Sequence, residues 1–592
     1  MTDILKSYTD LNSSTPRFQV SAVLNSIIDA DPFLFDQPSR AALIRLLLRD
    51  LKSAGSKSRL LHKDAAQALL AVKTLGRIPA GSEPLTESSN ISTLLELSNS
   101  LIKEDKNASS EALRCIANTM LLYDHARVTF VSREVGGGEA CATMLEKATT
   151  PDQIFTLSRI LFLATASPSS LILSLVEDRR RGRTIIDIIT MKIDMIMASL
   201  LNNKYLARDA MSELVKFAFN ILHHYPNLHS IASKTSKEYQ SPNLDGLLPP
   251  LLRVYQSLPP TYPTPLVSPL THVIHALVTI PITPSLVTLW FSSTRSPTHR
   301  ASSHSHSHSS PVHRSPSIST PKSSTLDRAF HQVIAAGRRS LSISSNSPAS
   351  MYGISYHDVV LRTLDLLEIV FSHYFPSNSN PDSLEVRQSF KIDLTRSGMP
   401  NDTSLDELLS PLVALCTRIC MMDKASRLRV REWIVPADLD RSRPLDERAD
   451  FLGRCIRLLR SVYHTRLKAS VGEMLYAACD CDASILSSLF GYGNVAGFLF
   501  NKGILSAPPP PSSDPYSSSS SSQRYINPIT GTYDTRPQGG IGGPTEEMTE
   551  EEKEEEMDKL FVLFDRLERS GAPPANQRKS VHPRTKSKHT PQ

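Results

Sequence analysis

Apolar residues recur along this chain with helical spacing wherever the sequence is not of low complexity. Ala65 to Leu75 (AAQALLAVKTL), Glu111 to Leu122 (EALRCIANTMLL), Gln153 to Ala166 (QIFTLSRILFLATA) and Tyr356 to Phe371 (YHDVVLRTLDLLEIVF) place Leu, Ile, Val and Ala at i, i+3, i+4 and i+7. Each pattern predicts a helix with one buried face. Strand-type alternation is nearly absent and no βαβ pattern appears. Short connectors such as Ile78-Pro79-Ala80-Gly81 and Gly136-Gly137-Gly138 separate the helices. No repeat of strict period survives inspection, which excludes tetratricopeptide and ankyrin arrays. Degenerate armadillo or HEAT repeats of roughly 40 residues tolerate such looseness. The expected fold is all-α: an armadillo/HEAT-like helical-repeat superhelix with a flexible C-terminal tail carrying one amphipathic helix.

Composition divides this body into segments. N-terminal repeats span 1–291, and a Ser/His/Pro-rich stretch, 292–325, is too poor in apolar residues to order itself. C-terminal repeats span 326–506. Residues 507–547, with Pro508 to Pro511 and Ser517 to Ser522, read as a flexible linker. An amphipathic helix follows at 548–569, then a basic, disordered tail at 570–592. In that helix Thr549 and Glu552 form a capping-box pattern, and Met557, Leu560, Phe561, Phe564 and Leu567 share one face. Gly571 and Pro573 end it. Such a helix either docks on its own repeats or lies in another protein's groove.

The net charge of +6 over 592 residues is too small to make nucleic acid the default partner. Seven scattered cysteines fit reduced thiols in the cytosol. No basic-then-apolar leader opens the chain, and no apolar run is long enough to span a bilayer, so a soluble intracellular protein is expected.

Chemical signatures are sparse. His304, His306 and His308 alternate with serine in a stretch that has no fold to preorganise them for a metal. Cys416 with Cys420, and Cys479 with Cys481, lack the second half of a zinc site and read as buried thiols. Gly491-Tyr492-Gly493-Asn494 lacks the rest of a phosphate loop and reads as a tight interhelical turn. Arg179-Arg180-Arg181-Gly182-Arg183 reads as a solvated loop, with an import or lipid-facing patch as the alternative. No hydrolase, metalloprotease or kinase signature is present. Lys73 with Arg77, and Arg114 with Asn118, project off otherwise complete apolar faces at i, i+4. Lining a groove, the arginines would suit a peptide's carboxylates and the asparagine its backbone. The competing reading makes all four ordinary solvated positions.

Several stretches, in order, resemble one family. Phe490 to Leu505 (FGYGNVAGFLFNKGIL) resembles the G-Y-G-N-A-A-G-L-L signature of the synembryn, or resistance-to-inhibitors-of-cholinesterase, family. Val435-Pro436 through Arg443-Pro444 to Val471, Ile526 to Gly531 (INPITG) and Met548 to Leu567 (MTEEEKEEEMDKLFVLFDRL) are similar to further blocks of it. Glu111 to Asn118 and Arg159 to Ala166 also fit. The acidic tract expected before INPITG is replaced by Pro508 to Ser522, and the 292–324 insertion has no counterpart.

The resemblance implies a factor that binds G-protein α subunits (Gα), promotes GDP release and GTP loading by stabilising the nucleotide-free state, and chaperones nascent Gα. It implies that Lys73, Arg77 and Asn118 meet the Gα C-terminal helix, and that the face of Met557, Leu560, Phe561, Phe564 and Leu567 contacts the nucleotide domain. It further implies a monomer in the cytoplasm or at the cell cortex, without catalytic residues, cofactor, metal or nucleic acid. The alternative is a passive armadillo-type scaffold or adaptor. Importin-like modules show ladders of groove tryptophans, whereas Trp290 and Trp433 are the only two here.

Overall fold

A computed structural model describes residues 2–31, 33, 35–233, 244–291, 358–504 and 526–533, all within one compact unit, Met1–Tyr533. Among the described residues there are 23 α-helices and no strands. The first eight are α1 (Thr2–Thr9), α2 (Arg17–Asp29), α3 (Gln37–Lys52), α4 (Ala65–Leu75), α5 (Ser88–Ser100), α6 (Lys106–Leu122), α7 (Asp124–Val131) and α8 (Gly137–Lys147). Then come α9 (Pro151–Ala164), α10 (Ser170–Glu177), α11 (Ile185–Leu201), α12 (Ala207–Ser233), α13 (Leu248–Ser257), α14 (Leu270–Thr279) and α15 (Pro284–Trp290). The last group is α16 (Val359–Tyr374), α17 (Leu384–Ser397), α18 (Leu405–Met422), α19 (Lys424–Ile434), α20 (Phe451–Leu459), α21 (Thr465–Ala478), α22 (Ala483–Phe490) and α23 (Tyr492–Asn501).

Local chemistry sets the helix starts. Asp105 accepts from the Asn107 and Ala108 amides to open α6, and Thr150 accepts from the Gln153 amide with Pro151 in the first turn of α9. Reciprocal capping boxes, Thr184 with Asp187 and Ser404 with Glu407, open α11 and α18. The helix read from Tyr356 begins instead at Val359, because Asp358 caps it by accepting from the Val360 and Leu361 amides. The connector read at Gly136-Gly137-Gly138 holds one connector residue: Gly137 and Gly138 already form the first turn of α8.

The helices pack as an irregular repeat. Long-range side-chain hydrogen bonds recur at separations of 42 residues (Tyr8 to Asp50), 46 (Gln67 to Ser21, Ser98 to Met144, Lys192 to Glu146) and 48 (Tyr225 to Glu177). That spacing matches the armadillo/HEAT class, with a register that drifts. One buried apolar cluster runs from Tyr8 to Leu499. Helices α2, α4, α6, α9, α12, α14, α18 and α21 pack successively side by side, each against the next, forming a row that positions the candidate site. Of the remaining helices, α1 precedes the row in sequence, α22 and α23 follow it, and the others lie between its members.

Candidate functional site on the helix row

Side chains along one edge of the row link α4 to α6 and α9, and α9 to α12 and α14, and a pocket joins α14 to α18 and α21. At the row's N-terminal end the side chains form a ladder of ion pairs. Lys73 Nζ on α4 lies 2.5 Å from Glu111 Oε2 on α6; Glu111 also pairs with Arg114, one turn along, and Arg114 Nη2 reaches Asp152 Oδ1 on α9 at 2.7 Å. Burial alone would lower the Arg114 pKa, but its bond to Asp152 and the charges of Asp152 and Glu111 outweigh burial and raise it. Lys73 and Glu111 are only 17% and 12% exposed at the side chain, so this pair is worth more than a typical surface bridge.

Only part of the expected constellation shares this geometry. Asn118 is half-buried one turn beyond Arg114, with no hydrogen-bond partner for its amide among the described residues. Arg77 is not on the Lys73 helix: α4 ends at Leu75, Gly76 caps it, and Arg77 stands exposed in the following turn. Met557, Leu560, Phe561, Phe564 and Leu567 lie outside the described residues, as do His304, His306 and His308.

Along α9 the edge changes character. Phe155, Arg159 and Phe162 occupy i, i+4, i+7 of α9 and are half-buried, with the Arg159 guanidinium 5.8 Å from the Phe155 ring centre. Lys216 of α12 lies over the Phe162 ring at 4.6 Å while pairing with Glu213. Phe219, three residues on, stacks with His223 at 5.7 Å and meets His275 of α14 edge-on at 6.3 Å. A pocket of about 390 Å³ continues the line, walled by His272, His275, Met399, Glu407, Pro411 and Arg466. Desolvation, then the charges of Lys216 and His275, lowers the His272 pKa to about 4; its Nε2 lies 3.0 Å from Ser268 Oγ. Desolvation, and then Arg466, lowers His275 as well. Neither imidazole is charged at neutral pH.

This ring-lined half was missed by pattern reading. Aromatic residues at helical spacing count toward the buried stripe, and nothing in α9 or α12 marks Phe155, Phe162 and Phe219 as its outer border. The one available signal was the interleaving of Arg159 and Lys216 between them.

The other singled-out residues are structural. Arg180 pairs with Glu139 and Arg183 with Glu146, so half of the arginine run is engaged in holding its turn to α8. Cys416, Cys420 and Cys479 are buried, and Cys481 is exposed. Gly491 makes the expected interhelical turn and also receives residues 526–533, so two stretches far apart in sequence meet at one end of the stack. Among the described residues no cluster of His, Cys, Asp or Glu could hold a metal, and no helix is long and apolar enough to cross a membrane.

Comparison with known proteins places this geometry in context. The sequence profile described as guanine nucleotide exchange factor synembryn (Ric8) matches residues 68–582. A stretch of 217 residues, 36% of this chain and 40% of the relative, is 29% identical to chaperone Ric-8A of Macaca fascicularis. Chaperone Ric-8A of Rattus norvegicus is 30% identical over 172 residues (28% of this chain, 31% of the relative), and that of Xenopus laevis 27% over 196 residues (32% and 35%). These alignments therefore span about a third of the relatives' length. A crystal structure of an engineered protein aligns with 80% of this chain and 93% of its own at a TM-score of 0.36 and 12% identity, too distant to carry an argument.

Proposed function

The chain belongs to the synembryn family of guanine nucleotide exchange factors, and from that premise we propose that it binds Gα subunits, promotes GDP release and GTP loading, and chaperones nascent Gα. The observation that carries this reading is the extent of the family match, which enters within α4, follows the row to α21 and continues past the described residues. The row edge suits a helical ligand with acidic and apolar positions. Its ring-lined half offers apolar faces, while the guanidinium groups of Arg77, Arg159 and Arg466 form no ion pair among the described residues. The Gα C-terminal helix is the proposed ligand, met by Lys73, Arg77 and Asn118 at one end.

Such a factor needs no acid, base or nucleophile; it must bind the nucleotide-free state better than the nucleotide-bound one. A nanomolar nucleotide is held by about 12 kcal/mol, more than one ion pair offsets. Two coupled contacts follow: the row engages the C-terminal helix, and the tail-helix face of Met557, Leu560, Phe561, Phe564 and Leu567 holds the opened nucleotide domain. The same grip on an unstable conformer would serve chaperoning. The protein would act as a monomer in the cytoplasm or at the cell cortex.

Measuring GDP release from purified Gα with and without the full chain tests the reading. Acceleration is expected, and truncation at Pro544 should abolish most of it while leaving binding of a Gα C-terminal peptide intact. A full chain that binds the peptide but never accelerates release would make it a passive scaffold instead.

A further inference from the structure

Residues 526–533 form a closed turn seated on the end of the helix stack. Within it the Asn527 amide donates to Thr532 O and the Gly531 amide to Asn527 O, both at 2.8 Å. The Pro528 and Ile529 carbonyls accept from the Tyr492 and Gly493 amides at 2.8 and 2.9 Å. Those amides belong to the first turn of α23 and have no acceptor within the helix. Asn494 donates from Nδ2 to Phe490 O at 2.8 Å and to Thr530 O at 3.3 Å, and its Oδ1 accepts from Arg460 at 2.6 Å. Arg441, 4% exposed, donates from Nη1 to Leu489 O at 2.8 Å and to Gly531 O at 2.6 Å. The Arg441 carbonyl in turn accepts from the Tyr533 amide at 2.9 Å.

Two glycines allow the approach. Gly491 has φ +80° and a Cβ there would lie 2.5 Å from Gly531 N; Gly531 has φ +73° and a Cβ there would lie 2.8 Å from Phe490 O. Each glycine is required by the other's backbone as well as by its own dihedral.

We propose that the 526–533 turn is a latch that sets where the C-terminal tail leaves the helix stack, with Arg441 and Asn494 as its positioning residues. Residues 505–525 are then held at both ends and add nothing to the tail's reach. The tether to Thr549 is the fifteen residues 534–548, a span of at most ~50 Å at 3.3–3.6 Å per residue. Released, it would be the 44 residues 505–548, or at most ~150 Å. For a coil-like tether, effective concentration falls as about the −3/2 power of length, which is roughly fivefold here. The positioning role rests on the tail-helix contact proposed above.

The test uses the full chain with Gly531→Ala, which alters a residue of the turn and none of the stack, and Arg441→Ala as the second variant. Hydrogen exchange over 526–533, the melting temperature of the stack, affinity for a Gα C-terminal peptide and GDP release are measured for each. In the parent chain the 526–533 amides should be protected. Gly531→Ala should remove that protection and slow GDP release about fivefold, with melting temperature and peptide affinity unchanged. In a chain truncated at Pro544 the same substitution should have no further effect. Amides in the parent chain that exchange like a free peptide would overturn the latch. A freed turn with undiminished GDP release, or an equal loss in the truncated chain, would overturn the positioning role. If truncation alone costs nothing, the tail-helix contact fails and the positioning role with it, while amide protection still decides whether the turn is seated.

Discussion

The two halves of the row edge hold their cations in different ways. Between α4, α6 and α9, Lys73, Glu111, Arg114 and Asp152 alternate in sign and neutralise one another across three helices. From the middle of α9 onward, Arg159 lies over the Phe155 ring with no ion pair among the described residues, and Lys216 lies over the Phe162 ring in addition to pairing with Glu213. An ion pair in a half-buried place fixes register and leaves little net field for a ligand. A cation over a ring is held by about 0.5–2 kcal/mol and keeps its full charge. The ladder is therefore suited to aligning helices, and Arg159 in the ring-lined half, like the exposed Arg77 after α4, to meeting an acidic partner.

The comparison breaks most visibly at Lys73. Lys73→Glu would set a carboxylate against Glu111 in a half-buried place, and should destabilise the fold by ~2–3 kcal/mol in urea unfolding. Any accompanying loss of peptide binding would then be partly indirect. An unchanged unfolding midpoint would show that the ladder aligns nothing.

The ring-lined half can be probed by acid. His272 is neutral when folded, so its unfolded state takes up a proton first as pH falls below about 6.5. Stability should decline from there toward pH 4, by ~1.4 kcal/mol per unit from this group. Lys216 and His275 act on its charge and Ser268 hydrogen-bonds it, while Glu407 and Arg466 wall the same pocket. His272→Asn should flatten that acid limb in denaturant unfolding at pH 7 and 5, and an identical limb would place its origin elsewhere.

Phe162→Leu conserves apolar bulk but removes the ring beneath Lys216. It should cost ~0.5–1 kcal/mol of stability and weaken Gα-peptide binding several-fold by calorimetry. Smallest in stability is Arg77→Glu, expected within ~0.5 kcal/mol of the parent because Arg77 is exposed beyond the helix end. Its peptide affinity should nonetheless fall at least tenfold. A tenfold loss from Lys73→Glu alone, with none from Arg77→Glu, would reverse the assignment of the two halves.

Helix identity was legible because it is local. The apolar period and the caps at Asp105, Thr150 and Ser404 specify where helices lie, and Ala65–Leu75 is found where its pattern predicts. The all-α class and the family resemblance followed from the same strings of residues. What chain pattern could not decide was partnership across helices. Helical periodicity says that Lys73 leaves the core, but the carboxylate 38 residues away that neutralises it is chosen by the packing of α4 on α6. It counts Phe162 and Phe219 as core, although packing of α9, α12 and α14 leaves them half-buried at the edge, Phe162 beneath Lys216 and Phe219 beside His275. It reads GYGN and INPITG as a turn and a piece of linker. Only the folded chain brings Gly491 within van der Waals distance of Gly531, since a residue's neighbours along the helix are set by its spacing, whereas those across it depend on the register of the whole stack.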